Sequence, residues 1–94
     1  PDILSSASIT TMTTPCSVAN GYAKGWNRDN SDEWWHMGSL PGTGSIMLRT
    51  SSGYTISFLT NTKDGNTVYF NDMNTLVRGF VSGVKNWPSG VDFF

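Results

Sequence analysis

Residues 34–43 are the feature that most constrains the fold of this chain. The segment runs from two tryptophans into a lone histidine, a glycine and a serine, and it ends in a Pro-Gly pair. Aromatic residues favour a strand, and a Pro-Gly pair marks a tight turn. The segment therefore predicts a strand that ends at a rim, where it presents one basic side chain, His36, and accessible backbone.

Further strands are predicted on both sides of this one. Residues 22–26 alternate bulky and small side chains and predict a short strand, and residues 33–38 predict the strand that carries the histidine. Residues 44–50 and 54–60 predict two more strands, joined by the Ser-Ser-Gly turn at 51–53, where glycine supplies the positive φ of a tight hairpin. Because the connections are short, the strands are expected to pair antiparallel.

A helix is predicted at each end of the chain. Near the start, Ser5 is the expected N-cap and the helix ends near Thr13, before Pro15. Near the end, Asn71 is the expected cap and Pro88 the expected stop. The apolar residues of this second helix recur at spacings of three and four. They are Met73, Leu76, Val77, Phe80, Val81, Val84 and Trp87.

The order helix, strand, strand, hairpin, helix predicts an α+β fold. We expect an antiparallel sheet of about four strands, flanked by the N-terminal and C-terminal helices on one face. Gly79 and Gly83 lie four apart on the last helix and predict close packing against the sheet. The 94 residues fit a single domain, 1–94.

Composition excludes several classes of function. Charged residues make up 14% of the chain, the net charge is −1 and there is no basic patch, so nucleic-acid binding is not expected. No apolar run is long enough to span a membrane. Cys16 is the single cysteine, and it is predicted to be a small, partly buried apolar residue.

No metal or cofactor is expected. Three acidic residues, Asp29, Asp32 and Glu33, lie near Arg28, but they lack the spacing of a metal-binding loop. They are predicted to form a solvated turn. Tyr22 and Trp26 are predicted to be core residues, and Trp34 and Trp35 should point to opposite faces of the sheet.

Four motifs in order resemble the C-terminal end of a known family. They are Met-x-x-Pro at 12–15, Tyr-x-x-Gly-Trp at 22–26, Trp-x-His-x-Gly-x-x-Pro-Gly at 34–42, and a strand pair ending in Leu-Thr-Asn at 59–61. The family is that of the serine β-lactamase-like hydrolases: class C β-lactamases, D-alanyl-D-alanine carboxypeptidases of the penicillin-binding protein type, and related esterases. The resemblance extends over about residues 2–87 and implies a partial β-lactamase/transpeptidase-like fold.

The resemblance also implies a site. His36, Met37 and Gly38 resemble the family's Lys/His-x-Gly triplet, which lies on the strand lining the active site. The backbone N–H of Ser39 would then be half of an oxyanion hole, His36 would act near the substrate or the catalytic hydroxyls, and Met37, Gly38 and Ser39 would bind substrate. The implied reaction is acyl-enzyme hydrolysis of a β-lactam, a D-Ala peptide or an ester.

Three departures from the family pattern change this expectation. Met37 stands where the family often has the Thr or Ser that binds a substrate carboxylate. The Ser-x-x-Lys nucleophile motif is absent from its place, since its only match, at 82–85, lies in the last helix. The Tyr-x-Asn motif is also absent, because Tyr-Phe-Asn at 69–71 follows the histidine strand, where it is predicted to end a strand and cap the helix. We therefore expect this chain to be inactive alone and to be the C-terminal portion of a larger bacterial hydrolase.

The expected partners follow from the resemblance. They are the N-terminal portion of the same protein and a small-molecule or peptide substrate. A missing portion also predicts an exposed apolar surface or self-association. The family is mostly periplasmic, on the cell surface or secreted, and the same is expected here. Two alternatives are a non-catalytic glycan- or peptide-binding module that uses Trp34 or Trp35, and an inactive penicillin-binding-type sensor.

Overall fold

A computed structural model describes residues 3–28, 32–63, 65 and 68–90. The sheet strands lie in the order β1-β2-β3-β4, and each pair of neighbours is antiparallel. The α+β prediction, with a four-stranded antiparallel sheet and two helices, is therefore confirmed. The elements are α1 Ser6–Thr13, β1 Asn27–Arg28, β2 Trp34–Leu40, β3 Thr43–Arg49, β4 Thr55–Thr60 and α2 Val68–Gly83.

Two tight turns connect the three long strands, as the sequence predicts. Pro41 and Gly42 join β2 to β3, and Gly42 has φ 72°, the conformation that a Pro-Gly type II turn requires. In the second turn, the Gly53 N–H donates to the Thr50 carbonyl at 2.9 Å, and Gly53 has φ 91°. Both turns hold the long strands in one continuous meander.

The core lies between one face of the sheet and α2. Ile46 and Leu48 from β3 meet Met73 and Val77 from α2, and these side chains are buried. Partly buried residues surround them: Trp35, Met37, Ile56, Phe58, Tyr69 and Phe70. No residue of α1 belongs to this cluster, so the prediction that both helices cover one face of the sheet was wrong for α1.

Polar bonds attach α1 to the rest of the chain. Its start is as predicted, because the Ser8 N–H donates to the Ser5 side chain at 3.1 Å. Lys24 and Arg28 donate to carbonyls of its last turn, each at 2.9 Å. These carbonyls have no partner within the helix, so the two cations satisfy them at the negative end of the helix dipole.

The predicted strand at 22–26 was wrong. Tyr22 makes only an isolated bridge with Asn27, and regular pairing begins at Asn27 and ends at Arg28. Gly25 lies between them with φ 85°, which interrupts the extended backbone with a turn. Tyr22 is also exposed rather than in the core.

The second helix begins and ends earlier than predicted. It starts at Val68, so Asn71 lies inside it and residues 69–71 are helical, neither strand end nor cap. It ends at Gly83, before Pro88. Part of the connection between β4 and α2, residues 64, 66 and 67, lies outside the described residues.

The two helix glycines do not pack closely. A Cβ built on Gly79 or Gly83 would meet no heavy atom within 4 Å, so this prediction was wrong. The close approach occurs instead at Gly44 in β3, where a Cβ would lie 2.7 Å from Cε1 of Tyr69. The helix therefore docks through a glycine of the sheet.

A salt bridge fixes α2 to the start of β2. Arg78 donates to Glu33, whose side chain is only 13% exposed, and also to the Asn74 side chain at 3.0 Å. The prediction that Glu33 belongs to a solvated turn was therefore wrong. Asp32 does behave as predicted: it is exposed and pairs with Arg28 at 2.5 Å. Asp29 lies outside the described residues.

Replacing Glu33 with glutamine is expected to lower the free energy of unfolding by about 1–2 kcal/mol, because a charged hydrogen bond at a half-buried site becomes a neutral one. Urea unfolding followed by circular dichroism measures the change. Asp32→Asn is the matched control: its carboxylate is 66% exposed, so about 0.5 kcal/mol or less is expected. Equal losses in the two variants would contradict this role for Glu33.

Cys16 is exposed, so the prediction of a partly buried residue was wrong. It lies in a short turn, where its N–H donates to the Tyr22 carbonyl at 3.0 Å and it forms an isolated bridge with Ala19. That turn keeps the side chain away from the core. Neither described helix has the length and apolar character needed to cross a membrane.

Candidate functional site

The C-terminal half of β2 has an unpaired edge. On that side β2 pairs with β1, but β1 is two residues long and reaches only Trp34 and Trp35. Within the described ranges, residues 36–40 have no strand beside them there. We call residues 36–40 the open β2 edge.

The register determines which backbone groups point out of this edge. Leu40 and Thr43 flank the two-residue turn, so they form a hydrogen-bonded pair, and such pairs alternate along an antiparallel ladder. Ser39 lies opposite Gly44 in a pair without hydrogen bonds. The Ser39 N–H and C=O therefore point away from β3, into the open β2 edge, and those of Met37 do the same.

The side chains of β2 divide between the two faces of the sheet. Trp35 and Met37 pack against the core under α2. His36 is exposed on the other face, which we call the open face because α2 does not cover it. A shallow groove of about 250 Å³ runs across it. Residues lining the groove include His36, Gly38, Ser45, Met47, Ser57 and Leu59.

The open face carries exposed apolar side chains. Leu40 and Leu59 are 70% and 71% exposed, and Met47 is also exposed. Gly38 lies among them, and a Cβ there would overlap the Ser45 hydroxyl. The absence of a side chain at Gly38 leaves the backbone of β2 accessible from this face.

Tyr22 joins the candidate site, which the sequence did not predict. Its hydroxyl lies 3.3 Å from Nε2 of His36, and the two rings meet edge to face with centroids 6.2 Å apart. The turn at Gly25 pairs the backbone of Tyr22 with Asn27 of β1, and the Tyr22 side chain reaches across to His36. Its place in the Tyr-x-x-Gly-Trp motif was the available signal, but the assumed strand put this side chain in the core.

Ser39 has its side chain on the α2 side of the sheet. Lys63 donates to the Ser39 hydroxyl, and its ammonium also lies 5.3 Å from the Phe70 ring centroid. The hydroxyl of Ser39 is therefore engaged in this contact, while its N–H faces the open β2 edge. Sequence reasoning missed Lys63, because the contact depends on how the segment after β4 folds over the sheet.

Met37 and Trp35 have their side chains on the face opposite His36, whereas Trp34 is on the same face as His36. The thioether of Met37 is on the opposite face, so this residue can reach a ligand at the edge only through its backbone. Trp35 packs against the core, whereas Trp34 lies on the open face, as the alternation predicts. The guanidinium carbons of Arg49 and Arg28 lie 4.4 and 5.6 Å from its ring centroid.

The open β2 edge offers outward backbone groups, and two described hydroxyls adjoin it: Tyr22 beside His36, and Ser39 beside Lys63 on the α2 side. Of the described side chains, His36 hydrogen-bonds to Tyr22 and to no serine. Ser82 is in α2, where its hydroxyl donates to the Gly79 carbonyl, and it lines a pocket with Glu33 that includes none of residues 36–40. No cluster of three or more His, Cys, Asp or Glu suited to a metal occurs in the part of the chain described.

Comparison with known proteins adds no assignment. The chain matches no protein-family model, no curated protein and no solved structure. The geometry of the open β2 edge is therefore the main basis for a functional proposal.

Proposed function

We propose that the open β2 edge is the substrate-binding and oxyanion-stabilising half of a serine hydrolase site of the β-lactamase-like kind. The observation that carries this proposal is the Ser39 N–H, which points out of the sheet at an unpaired edge beside Gly38 and His36. A donor held in a strand needs no reorganisation when charge develops on a substrate carbonyl. In other hydrolases one such donor is worth about 2.7–4 kcal/mol of transition-state stabilisation.

The same edge suits a peptide-like acyl substrate. The outward N–H and C=O groups of Met37 and Ser39 can pair with an extended amide backbone, as in strand addition to a sheet edge. Gly38 presents no side chain, so a substrate can lie close to the strand. The substrate class is therefore an ester or amide, including β-lactams and D-alanyl peptides.

The attacking hydroxyl comes from other polypeptide in this proposal. Acyl transfer needs a nucleophile and a base within hydrogen-bond reach of each other. Among the described residues, the Ser39 hydroxyl contacts Lys63 on the α2 side of the sheet, away from the outward N–H groups, and His36 bonds to a tyrosine. Neither pair presents a serine hydroxyl to a substrate at the open β2 edge. A segment with Ser-x-x-Lys, docked on the apolar open face, would complete the site.

A glycan-binding module has less support. Stacking of a sugar requires an accessible aromatic face, but Trp35 packs against the core and the Arg49 guanidinium lies over Trp34. Peptide binding without catalysis would use the same open β2 edge. Binding and turnover must therefore be measured separately.

Binding is tested by titrating the ¹⁵N-labelled chain with N-acetyl-D-alanyl-D-alanine and, separately, with a penicillin. We expect millimolar binding, about −4 kcal/mol, with the largest amide shifts at 37–40. Ser39→Pro removes the outward N–H without removing a β2–β3 bond, and it should abolish these shifts. Thr55→Pro makes the same change at the opposite edge of the sheet and should leave them intact.

Shifts that survive in Ser39→Pro, or that appear elsewhere on the sheet, would contradict the assignment of the edge. Turnover is tested with nitrocefin and p-nitrophenyl acetate. The chain alone is expected to show no hydrolysis that a serine-directed inhibitor abolishes. Inhibitor-sensitive turnover would show that the nucleophile is already present and would overturn the shared-site proposal.

A further inference from the structure

The other edge of the sheet, strand β4, is also unpaired. Its outer side has no neighbour in the described ranges, because β4 is the last strand in the sheet order. Natural edge strands are usually protected from pairing by a lysine, a proline, a bulge or an inward-pointing charge. The sequence of β4, TISFLT, contains no charged residue and no proline, and its register with β3 is continuous. The strand itself therefore carries none of these features.

The register shows which groups β4 presents to a partner. The Thr50 N–H donates to the Tyr54 carbonyl at 2.8 Å, which makes this pair hydrogen-bonded. Alternation then gives Ile56 and Phe58 hydrogen bonds to β3. The outward N–H and C=O groups belong to Thr55, Ser57 and Leu59.

An apolar groove continues from this edge beneath α2. It has a volume of about 380 Å³, and Leu76 and Phe80 on its helical side are 61% and 59% exposed. Ile56 and Phe58 line its sheet side. A further strand would lie about 4.8 Å from β4. Its inward side chains would therefore reach Leu76 and Phe80.

We propose that a second copy of this chain occupies the β4 edge, with the two β4 strands antiparallel about a twofold axis at Ser57. In this register Ser57 lies opposite the partner's Ser57, and Thr55 lies opposite the partner's Leu59. Each β4 residue whose N–H and C=O point outward then lies opposite a partner residue of the same kind, and each such pair exchanges two backbone hydrogen bonds. The edge is thus self-complementary, as a twofold interface requires.

Side chains on the α2 side favour the same partner. Ile56 lies opposite the partner's Phe58, so an apolar residue meets an apolar residue across the new ladder. The partner's strand also supplies the alternating apolar residues that the groove below Leu76 and Phe80 requires. No charge in β4 opposes the approach.

The interface is small, so the association is expected to be weak. A strand pair with a few flanking side chains lies at the low end of the specific range, below about 1,200 Å² in total. We expect a dissociation constant on the order of 10 μM, about −7 kcal/mol. The dimer leaves the open β2 edge free at each end of the joined sheet, so this inference does not depend on the proposed function.

Sedimentation velocity of the 94-residue chain from about 1 μM to about 500 μM tests the proposal, and a concentration-dependent dimer is expected. Ser57→Lys places two like charges opposite each other on the axis, and the variant should remain monomeric. Ser17→Lys adds the same charge in an exposed turn remote from β4 and should dimerise like the parent. Circular dichroism checks that each variant is folded.

A third variant separates the edge from the open face. Met47 is exposed on the open face, one strand inward and opposite Ser57, so Met47→Lys should still dimerise. Amide exchange gives a second test, because the Thr55, Ser57 and Leu59 amides should become protected as the concentration rises. The proposal would be overturned if the parent chain stays monomeric or if Met47→Lys loses the dimer. Dimerisation without protection of these amides would also overturn it.

Discussion

Replacing Leu48 with alanine is expected to lower the free energy of unfolding by about 3–4 kcal/mol, the largest loss we predict for a single substitution. Leu48 is 0% exposed and lies in β3, between the sheet and α2. Its truncation removes apolar contact and leaves a cavity that the paired strands on either side cannot close. Since domains of this size have a stability of about 5–14 kcal/mol, the loss is large. Urea unfolding at 25 °C measures it.

Leu59→Ala is the matched control for this experiment. Leu59 is in the same sheet, but its side chain is 71% exposed on the open face. Its truncation should cost about 0.5 kcal/mol or less. Similar losses at the two positions would mean that the core does not lie where β3 meets α2.

Replacing Gly44 with alanine is expected to lower the free energy of unfolding by about 2–3 kcal/mol. The new Cβ would lie 2.7 Å from Cε1 of Tyr69, so the ring must move. Movement is restricted because the Tyr69 hydroxyl donates to the Thr62 carbonyl at 2.8 Å. The clash therefore destabilises the packing of α2 against the sheet, because Tyr69 belongs to α2 and is not a freely moving surface side chain.

Gly79→Ala is the control for the same chemical change. A Cβ at Gly79 meets nothing within 4 Å, and alanine favours a helix over glycine by about 1 kcal/mol, so this variant should be more stable than the parent. Thermal unfolding should move in opposite directions for the two variants. A stabilising effect of Gly44→Ala would contradict the close contact between β3 and α2.

Adding Tyr69→Phe to Gly44→Ala provides a further check. Without its hydroxyl the ring is no longer held by the Thr62 carbonyl, so it can shift away from the new methyl group. The double variant should therefore lose less stability than the sum of the single losses. Additive losses would show that the Thr62 contact does not restrict the ring.

The three long strands of the sheet were predictable because their signals are local. The Pro-Gly pair at 41–42 and the glycine at 53 specify two tight turns, and period-two alternation places Ile56 and Phe58 on one face. The Ser5 cap of α1 was predictable for the same reason. In each case the residues that determine the structure are neighbours in the sequence.

The docking of the helices was not predictable from such signals. Gly79 and Gly83 carry the pattern of close packing, yet Gly44 makes the close contact because the position of α2 is set by Met73 and Val77. The contact between Lys63 and Ser39 also depends on tertiary structure. In the candidate site, the position of His36 followed from the strand pattern. The contact of Tyr22 with His36 depends on the turn at Gly25. The alternation of bulky and small residues at 22–26 predicted a strand there instead of this turn.

The way α1 is attached has a consequence for motion. Its last turn is held by hydrogen bonds from Lys24 and Arg28, and it contributes no side chain to the buried cluster. Opening this segment exposes little apolar area, whereas separating α2 from the sheet exposes the whole core. Native-state fluctuations should therefore release the N-terminal helix at a lower free energy than the meander and α2, which makes it a separate unfolding unit.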